Sequence, residues 1–166
     1  MYRSVEFSPD GNYVMVSTVK KPFSYLVPYY RFPSETIIYS KNGEKLQTVI
    51  EVPLIEDLPK GFMAVRKGKR NFEWRSDHPA TLVYAVALDE GDPQKEVAYR
   101  DELFELQAPF NGKGKSLLKT VNRISEIQWG NEHMAIATDR WFGTRNQKSY
   151  WFDPADQTKE PKILFD

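Results

Sequence analysis

Short apolar runs separated by turn-forming residues make up most of this chain. The first example runs from Val5 to Phe7, through the turn Ser8-Pro9-Asp10-Gly11, to the apolar run Tyr13–Val19. Asp-Gly favours a β-hairpin because glycine readily adopts a positive φ. Residues 13–19 show little alternation of polar and apolar positions, which predicts a strand buried on both faces. Helical periodicity is weak throughout, and only Leu117 to Ile124 is compatible with two turns of helix.

An aromatic residue, a polar turn and an apolar strand recur in this order three times, beginning at Phe7, Trp74 and Trp129. Sets of four short strands joined by turns are typical of propeller blades. The repeats are longer than the roughly 40–50 residues of compact propeller repeats, and the excess fits into loops. We therefore predict an all-β fold: a partial β-propeller of about three four-stranded antiparallel blades in a single unit, 1–166. The predicted blades are about 1–52, 70–122 and 123–166. The alternative is an antiparallel sandwich or barrel with three unrelated hairpins.

Composition narrows the function classes. The 23 basic and 23 acidic side chains give a formal net charge of zero, which argues against a nucleic-acid partner. Cysteine is absent, so neither a disulfide framework nor a thiolate metal site can form. No apolar run approaches the ~20 residues of a membrane span, and the N-terminus lacks the apolar run of a signal peptide. We expect a soluble protein with no membrane partner.

Catalytic and metal-binding motifs are missing. There is no Gly-x-Ser-x-Gly elbow to present a nucleophilic serine. Ser76-Asp77-His78 places triad residue types side by side, but a triad converges from distant segments; we interpret it as a turn in which Asp77 accepts from nearby backbone N–H groups. His78 and His133 lack metal-ligand spacing, and the acidic residues from Asp89 to Asp92 are interpreted as a solvated loop. We predict no catalytic residue, no metal and no cofactor.

The segment between Lys20 and Pro33 combines cations, phenols and prolines and is the best candidate binding segment. Arginine can hold a carboxylate through two parallel hydrogen bonds, which suits peptide recognition. The candidate substrate-binding residues are Lys21, Tyr25, Tyr30 and Arg31. The alternative is that the aromatic residues pin the segment to its sheet. The basic run Val65–Arg70 is interpreted as a solvated loop, and Trp141 and Arg145 as a cation–π pair.

Several longer segments carry a family resemblance. In order along the chain they are Lys21-Pro22-Phe23-Ser24-Tyr25-Leu26-Val27-Pro28, Arg31-Phe32-Pro33, Val65–Arg70, Trp74–Leu82, Asp101–Phe104, Trp141–Arg145 and Pro161–Asp166. Over nearly its whole length the chain resembles the N-terminal β-propeller of glutamyl endopeptidase-like members of the prolyl oligopeptidase family of serine peptidases.

The resemblance implies a two-domain parent in which a propeller covers an α/β-hydrolase domain and restricts the access of peptides. The Ser-Asp-His triad belongs to that hydrolase domain, which this chain lacks, so we expect the chain itself not to be an enzyme. Its implied partners are the hydrolase domain and, through the parent, a peptide cleaved after glutamate. A bacterial parent would be periplasmic or cytoplasmic. The alternative function is a free-standing β-propeller interaction module.

Association of the isolated chain is expected on physical grounds. Three blades cannot close a ring, so the outer faces of the first and last sheets lack neighbours. Uncovered apolar sheet faces promote association. We therefore expect a homo-oligomer.

Overall fold

The computed structural model describes residues 1–166 as twelve β-strands and a single short 3₁₀ turn, Tyr29–Arg31. The strands are β1 Tyr2–Phe7, β2 Tyr13–Val19, β3 Ser34–Ser40, β4 Lys45–Val52, β5 Lys69–Trp74, β6 Thr81–Ala87, β7 Asp101–Gln107, β8 Lys115–Thr120, β9 Arg123–Asn131, β10 Met134–Trp141, β11 Asn146–Phe152 and β12 Lys162–Phe165.

The strands form three four-stranded antiparallel sheets, each an uninterrupted meander. Sheet 1 contains β1–β4, sheet 2 contains β5–β8 and sheet 3 contains β9–β12. The predicted all-β fold with four-stranded antiparallel sheets is confirmed. The helix considered for residues 117–124 is wrong, because these residues lie in β8, in the turn after it and in β9. The assignment of the sheets to propeller blades, with its boundaries, stays a prediction.

Sheet 2 lies between the other two sheets and shares an apolar core with each. The core between sheets 1 and 2 contains Met15, Ile38, Val49, Leu82, Tyr84, Phe104, Leu106 and Phe110. The core between sheets 2 and 3 contains Val83, Leu103, Leu117, Leu118, Ala135, Ala137, Tyr150 and Phe152. Burial of apolar area on this scale is the main stabilising contribution to such a fold.

Strands β6 and β7 of the middle sheet are buried on both faces. In β7, Phe104 and Leu106 belong to the core with sheet 1 and Leu103 to the core with sheet 3. Leu82 and Tyr84 point toward sheet 1, whereas Val83 points toward sheet 3, as alternation along a strand requires. The sequence predicts the same burial for residues 13–19. This prediction is wrong, because only Met15 and Val19 of β2 are buried. The reason is tertiary: sheet 1 has a neighbouring sheet on one side only.

The two outer faces of the stack differ in chemistry. Val5 pairs with Val16 and Phe7 pairs with Val14 on the outer face of sheet 1, and this surface is apolar. Val5 is 53% exposed and Phe7 is 67% exposed. The outer face of sheet 3 is more polar and includes hydroxyl pairs such as Thr138 with Ser149, 3.1 Å apart.

The long connections gather at one end of the sheets, which we call the long-loop end. The backbone N–H of Ile55 donates to the carbonyl of Arg31 at 3.0 Å, and that of Val65 donates to the carbonyl of Gly91 at 3.1 Å. These bonds tie the linker between sheets 1 and 2 to the connections that follow β2 and β6. The connections at this end are 20–33, 53–68, 88–100, 121–122 and 142–145, and the first three are the longest in the chain.

Candidate functional site

The insert between β2 and β3, residues 20–33, forms part of the long-loop end. The backbone N–H of Lys20 donates to the carbonyl of Pro33 at 2.7 Å and closes the base of the insert. Within it, the rings of Phe23 and Phe32 stack with centroids 5.5 Å apart. These contacts show that part of the aromatic content is architectural.

The four candidate substrate-binding residues occupy different environments on this insert. Lys21 and Tyr25 are exposed, and no hydrogen bond or ring contact joins either to Tyr30 or Arg31. Tyr30 and Arg31 lie in the 3₁₀ turn, where Arg3 Nη2 donates to the carbonyl of Tyr30 at 2.9 Å. Arg31 Nε is buried without a hydrogen-bond partner. The structure therefore brings Tyr30 and Arg31 together with Arg3, and the substrate role of all four stays a prediction.

A small crevice opens between sheets 1 and 2 beside this turn. It has a volume of about 170 Å³, and its lining includes Arg3, Tyr30 and Arg66. Burial, followed by the nearby charges of Arg70 and Arg3, lowers the pKa of Arg66 to about 10. Residues 65–70 were interpreted as a solvated loop, which is wrong for Arg66 and Arg70 because both are substantially buried. Only the packing of the linker against β1 and β5 brings these cations together.

A larger groove of about 630 Å³ adjoins the crevice and is lined by residues 50–59, 65–68 and Glu90. Ile50, Val52, Ile55 and Arg66 line both cavities. The groove and the crevice therefore form one continuous surface at the long-loop end.

Glycine is required where the connection after β6 meets the linker. Gly91 has a φ of +84°, and a Cβ atom at this position would overlap the carbonyl of Val65. The close backbone approach lets the Val65 N–H bond to the Gly91 carbonyl. This contact fixes the wall of the groove next to Arg66.

Two exposed phenylalanines mark the far side of the long-loop end. The rings of Phe62 and Phe142 are 4.9 Å apart, although Phe62 is 88% exposed and Phe142 is 61% exposed. Next to them, the guanidinium of Arg100 lies 3.9 Å from the ring centroid of Trp141. The expected cation–π partner of Trp141 was Arg145, which is wrong: the partner comes from the connection after β6.

A buried ion network supports the long-loop end. Arg123 Nη2 donates to both carboxylate oxygens of Asp89 at 2.7 Å, and Arg123 Nη1 donates to Asp101 at 3.0 Å. Arg100 Nη1 donates to Asp89 at 2.8 Å, and Arg70 forms an ion pair with Asp101. Asp89 is fully buried, so its assignment to a solvated loop is wrong. Arg123 belongs to sheet 3, and no local sequence signal identifies it as the partner of Asp89.

Asp77 is held by a neighbouring arginine. Arg75 Nε and Nη2 donate to the two Asp77 oxygens at 3.0 and 2.6 Å, in place of the predicted backbone donors. Arg75 also donates to Glu105 at 2.6 Å and lies 4.3 Å from the ring centroid of Trp129 in sheet 3. His78 Nε2 is 3.8 Å from Asp77. The segment 75–78 therefore joins sheet 2 to sheet 3.

The second histidine, His133, lies at the same end of the sheets as His78, opposite the long-loop end. His133 Nδ1 is 3.3 Å from Asp153, which also accepts from Lys159 Nζ at 2.6 Å. No group of three or more histidine, cysteine, aspartate or glutamate side chains is arranged to hold a metal ion. None of the chain's helical segments has the length and hydropathy needed to cross a membrane.

Comparison with known proteins gives a match along the entire chain. It is 36% identical to a probable chloroplastic glutamyl endopeptidase of Oryza sativa subsp. japonica over 168 aligned residues, and 33% identical to the Arabidopsis thaliana protein of the same name. The chain is similar along its whole length to one segment of each of these two proteins. The resemblance to glutamyl endopeptidases that the sequence predicted is therefore confirmed. The chain spans 18% and 17% of the length of these two relatives. No protein-family model matches the chain, and no solved structure matches it.

Proposed function

We propose that this chain contributes three blades to a β-propeller that covers the active site of a serine peptidase of the prolyl oligopeptidase family and restricts the access of peptides. The similarity to glutamyl endopeptidases along all of the chain carries this proposal. The fold supports it, since three four-stranded meanders stack face to face and the middle sheet is covered on both sides. Radial stacking of such sheets is the construction of a propeller.

Substrate contact is proposed for the long-loop end. Long connections are the usual location of binding residues on a rigid scaffold. The insert 20–33 carries Lys21, Tyr25, Tyr30 and Arg31, and the adjoining linker carries Arg66. Cationic and phenolic groups of this kind suit a peptide that contains glutamate, the residue in the name of the relatives.

The first test concerns the 166-residue chain alone. We expect it to bind but not hydrolyse glutamyl peptides, because the reaction belongs to a hydrolase domain. Incubation of the pure chain with a fluorogenic peptide that contains glutamate at the scissile bond measures this. Turnover that copurifies with the chain would refute its assignment as a non-catalytic component.

The gating role requires a longer protein that contains this region and a hydrolase domain. Replacing residues 22–32 with a short glycine linker should raise kcat/KM for large polypeptides relative to short peptides, because it widens the entrance. A matched control shortens residues 157–160, which lie between β11 and β12 at the opposite end. An unchanged ratio in the first variant, or the same change in both, would contradict the gating role.

A free-standing interaction module is the second candidate. The observation that favours it is the exposed Phe62–Phe142 pair, since touching exposed aromatic rings are common at protein interfaces. The reading frame of the gene discriminates the two candidates. A Gly-x-Ser-x-Gly segment within a downstream hydrolase-sized region favours the peptidase, whereas its absence favours the module.

A further inference from the structure

Two arginines at the crevice between sheets 1 and 2 have no acidic partner. Neither Arg3 nor Arg66 has a carboxylate oxygen within 4.0 Å, the limit for an ion pair. Elsewhere the buried arginines are paired, as Arg75 and Arg123 show. Arg66 is partly buried, and its neighbours Arg70 and Arg3 are also cations. An anion at this position would relieve both the like-charge repulsion and the loss of hydration.

Most of the donors on these two guanidinium groups are free. Arg66 Nη1 donates to the carbonyl of Lys67 at 3.1 Å, and Arg3 Nη2 donates to the carbonyl of Tyr30 at 2.9 Å. A guanidinium carries five N–H donors, so each arginine keeps several for a ligand. Ser4 and Ser34 also line the crevice, and their hydroxyl groups make no hydrogen bond within the chain.

The size of the crevice limits what can enter it. Its volume of about 170 Å³ is below the roughly 300–1,000 Å³ of sites for whole small-molecule ligands. It therefore suits a single side chain or a chain terminus. The adjoining groove of about 630 Å³ is large enough for the flanking residues of a peptide, and Arg66 lines both cavities.

One acidic residue also lines the crevice. Glu6 forms no ion pair with Arg3 or Arg66, and it lies close enough to Glu73 to help burial raise the pKa of Glu73. Glu6 is thus associated with the β5 side of the crevice, near another carboxylate. It leaves the arginines without a counterion.

We infer that Arg3 and Arg66 form a carboxylate-binding subsite, which takes an acidic side chain or the C-terminal carboxylate of a peptide lying in the adjoining groove. Paired guanidinium groups bind carboxylates through short, charge-assisted hydrogen bonds, and an uncharged amide gains less from the same donors. This inference rests on the proposed function for its ligand class, a peptide, and it locates acid recognition in the crevice beside the insert.

Three peptides test the subsite on the intact 166-residue chain. The first is an acetylated, amidated pentapeptide with a central glutamate, the second is its glutamine analogue, and the third has a central alanine and a free C-terminal carboxylate. The arginine Nε–H resonances in ¹⁵N–¹H NMR spectra report binding at Arg3 and Arg66 directly. We expect these two resonances to shift with a carboxylate peptide and to stay in place with the glutamine analogue.

The two carboxylate peptides separate the two ligand sources. Stronger binding of the glutamate peptide assigns the subsite to an acidic side chain, and stronger binding of the third peptide assigns it to a C-terminus. Equal binding of all three peptides would overturn the inference, as would unchanged Arg3 and Arg66 resonances at millimolar concentrations of every peptide.

Matched variants measure the contribution of one guanidinium. Arg66→Gln should weaken binding of the carboxylate peptide by about 10- to 100-fold, the range for losing charge-assisted hydrogen bonds. Arg66→Lys should lie in between, because it keeps the charge but not the planar pair of donors. Arg140→Gln removes an exposed arginine of β10 and should leave affinity unchanged. Equal effects of Arg66→Gln and Arg140→Gln would contradict a specific subsite.

Failure of the subsite can be told apart from failure of the proposed function. The binding measurements need no catalysis, so they give the same answer whether or not the longer protein is a peptidase. If a longer protein that carries Arg66→Gln still cleaves glutamyl peptides normally, the inferred subsite fails and the proposed peptidase function stands. If the chain binds carboxylate peptides but the longer protein has no peptidase activity, the proposed function fails and the inferred subsite stands.

Discussion

Removal of Arg123 is the sharpest test of how the long-loop end is held together. Arg123 is 4% exposed. It donates to Asp89 twice at 2.7 Å, to Asp101 at 3.0 Å, and to the carbonyls of Arg100 and Met63 at 3.0 and 3.2 Å. It therefore connects sheet 3, sheet 2 and the linker through one guanidinium. Arg123→Met keeps most of the volume and removes every one of these bonds.

The size of the effect follows from what remains after the substitution. Asp89 keeps its bond from Arg100 at 2.8 Å, and Asp101 keeps the ion pair with Arg70 and the N–H of Ile124 at 2.9 Å. Neither carboxylate becomes fully unpaired, so adding up five separate bonds would overstate the loss. We expect the free energy of unfolding to fall by about 3–5 kcal/mol, the cost of breaking a buried ion pair. For a chain of this size that loss lowers Tm by about 6–20 °C.

Urea unfolding followed by circular dichroism measures this free energy, and thermal unfolding measures Tm. Arg140→Met is the matched control, because Arg140 is exposed and forms no ion pair, and surface substitutions of this kind usually change stability by less than about 0.5 kcal/mol. A loss below about 1 kcal/mol for Arg123→Met, or a loss equal to that of the control, would refute the argument that the ion network holds the sheets together.

Two further predictions concern the outer face of sheet 1 and the acid stability of the other end. The wild-type chain should associate at high concentration in sedimentation velocity experiments. Phe7→Glu should shift the chain toward monomer, whereas Thr138→Glu on sheet 3 should not. A wild-type chain that is monomeric at every concentration would contradict this prediction. Bonding to Lys159 is the main cause that lowers the pKa of Asp153 to about 2. A lowered carboxylate pKa stabilises the folded state above the unfolded value of about 3.9 and ceases to do so as pH falls toward 2. The difference in Tm between wild type and Lys159→Met should therefore be largest above about pH 4 and vanish near pH 2; a difference independent of pH between 2 and 5 would contradict it.

Much of the strand order was predictable from local sequence. Asp10-Gly11 and Asn42-Gly43 mark tight turns because glycine takes the positive φ that these turns need, +69° at Gly11 and +82° at Gly43. Each turn is flanked by residues that favour strands, so neighbouring strands pair without information from distant parts of the chain. The insert 20–33 follows the predicted strand 13–19, and the structure has it between β2 and β3.

The candidate site was predictable only in part. The composition of residues 20–33 directed attention to Tyr30 and Arg31, which do lie beside the crevice. Arg3 and Arg66 were missed because one lies in a strand and the other in a basic run that resembles an ordinary solvated loop. Only the absence of a nearby acid distinguishes them, and that absence is a property of the three-dimensional packing.

The sequence by itself therefore determined the strands, their turns and the relationship to glutamyl endopeptidases, since these depend on neighbouring residues and on matching segments. Tertiary structure decided which strands are buried on both faces, which carboxylates are buried and which arginines lack partners. Val83 is buried because sheet 3 covers it, and Asp89 can be buried as a charge because Arg123 reaches it from that same sheet. Burial and charge pairing are set by the stacking of sheets that are far apart along the chain, and no local pattern encodes which residues that stacking brings together.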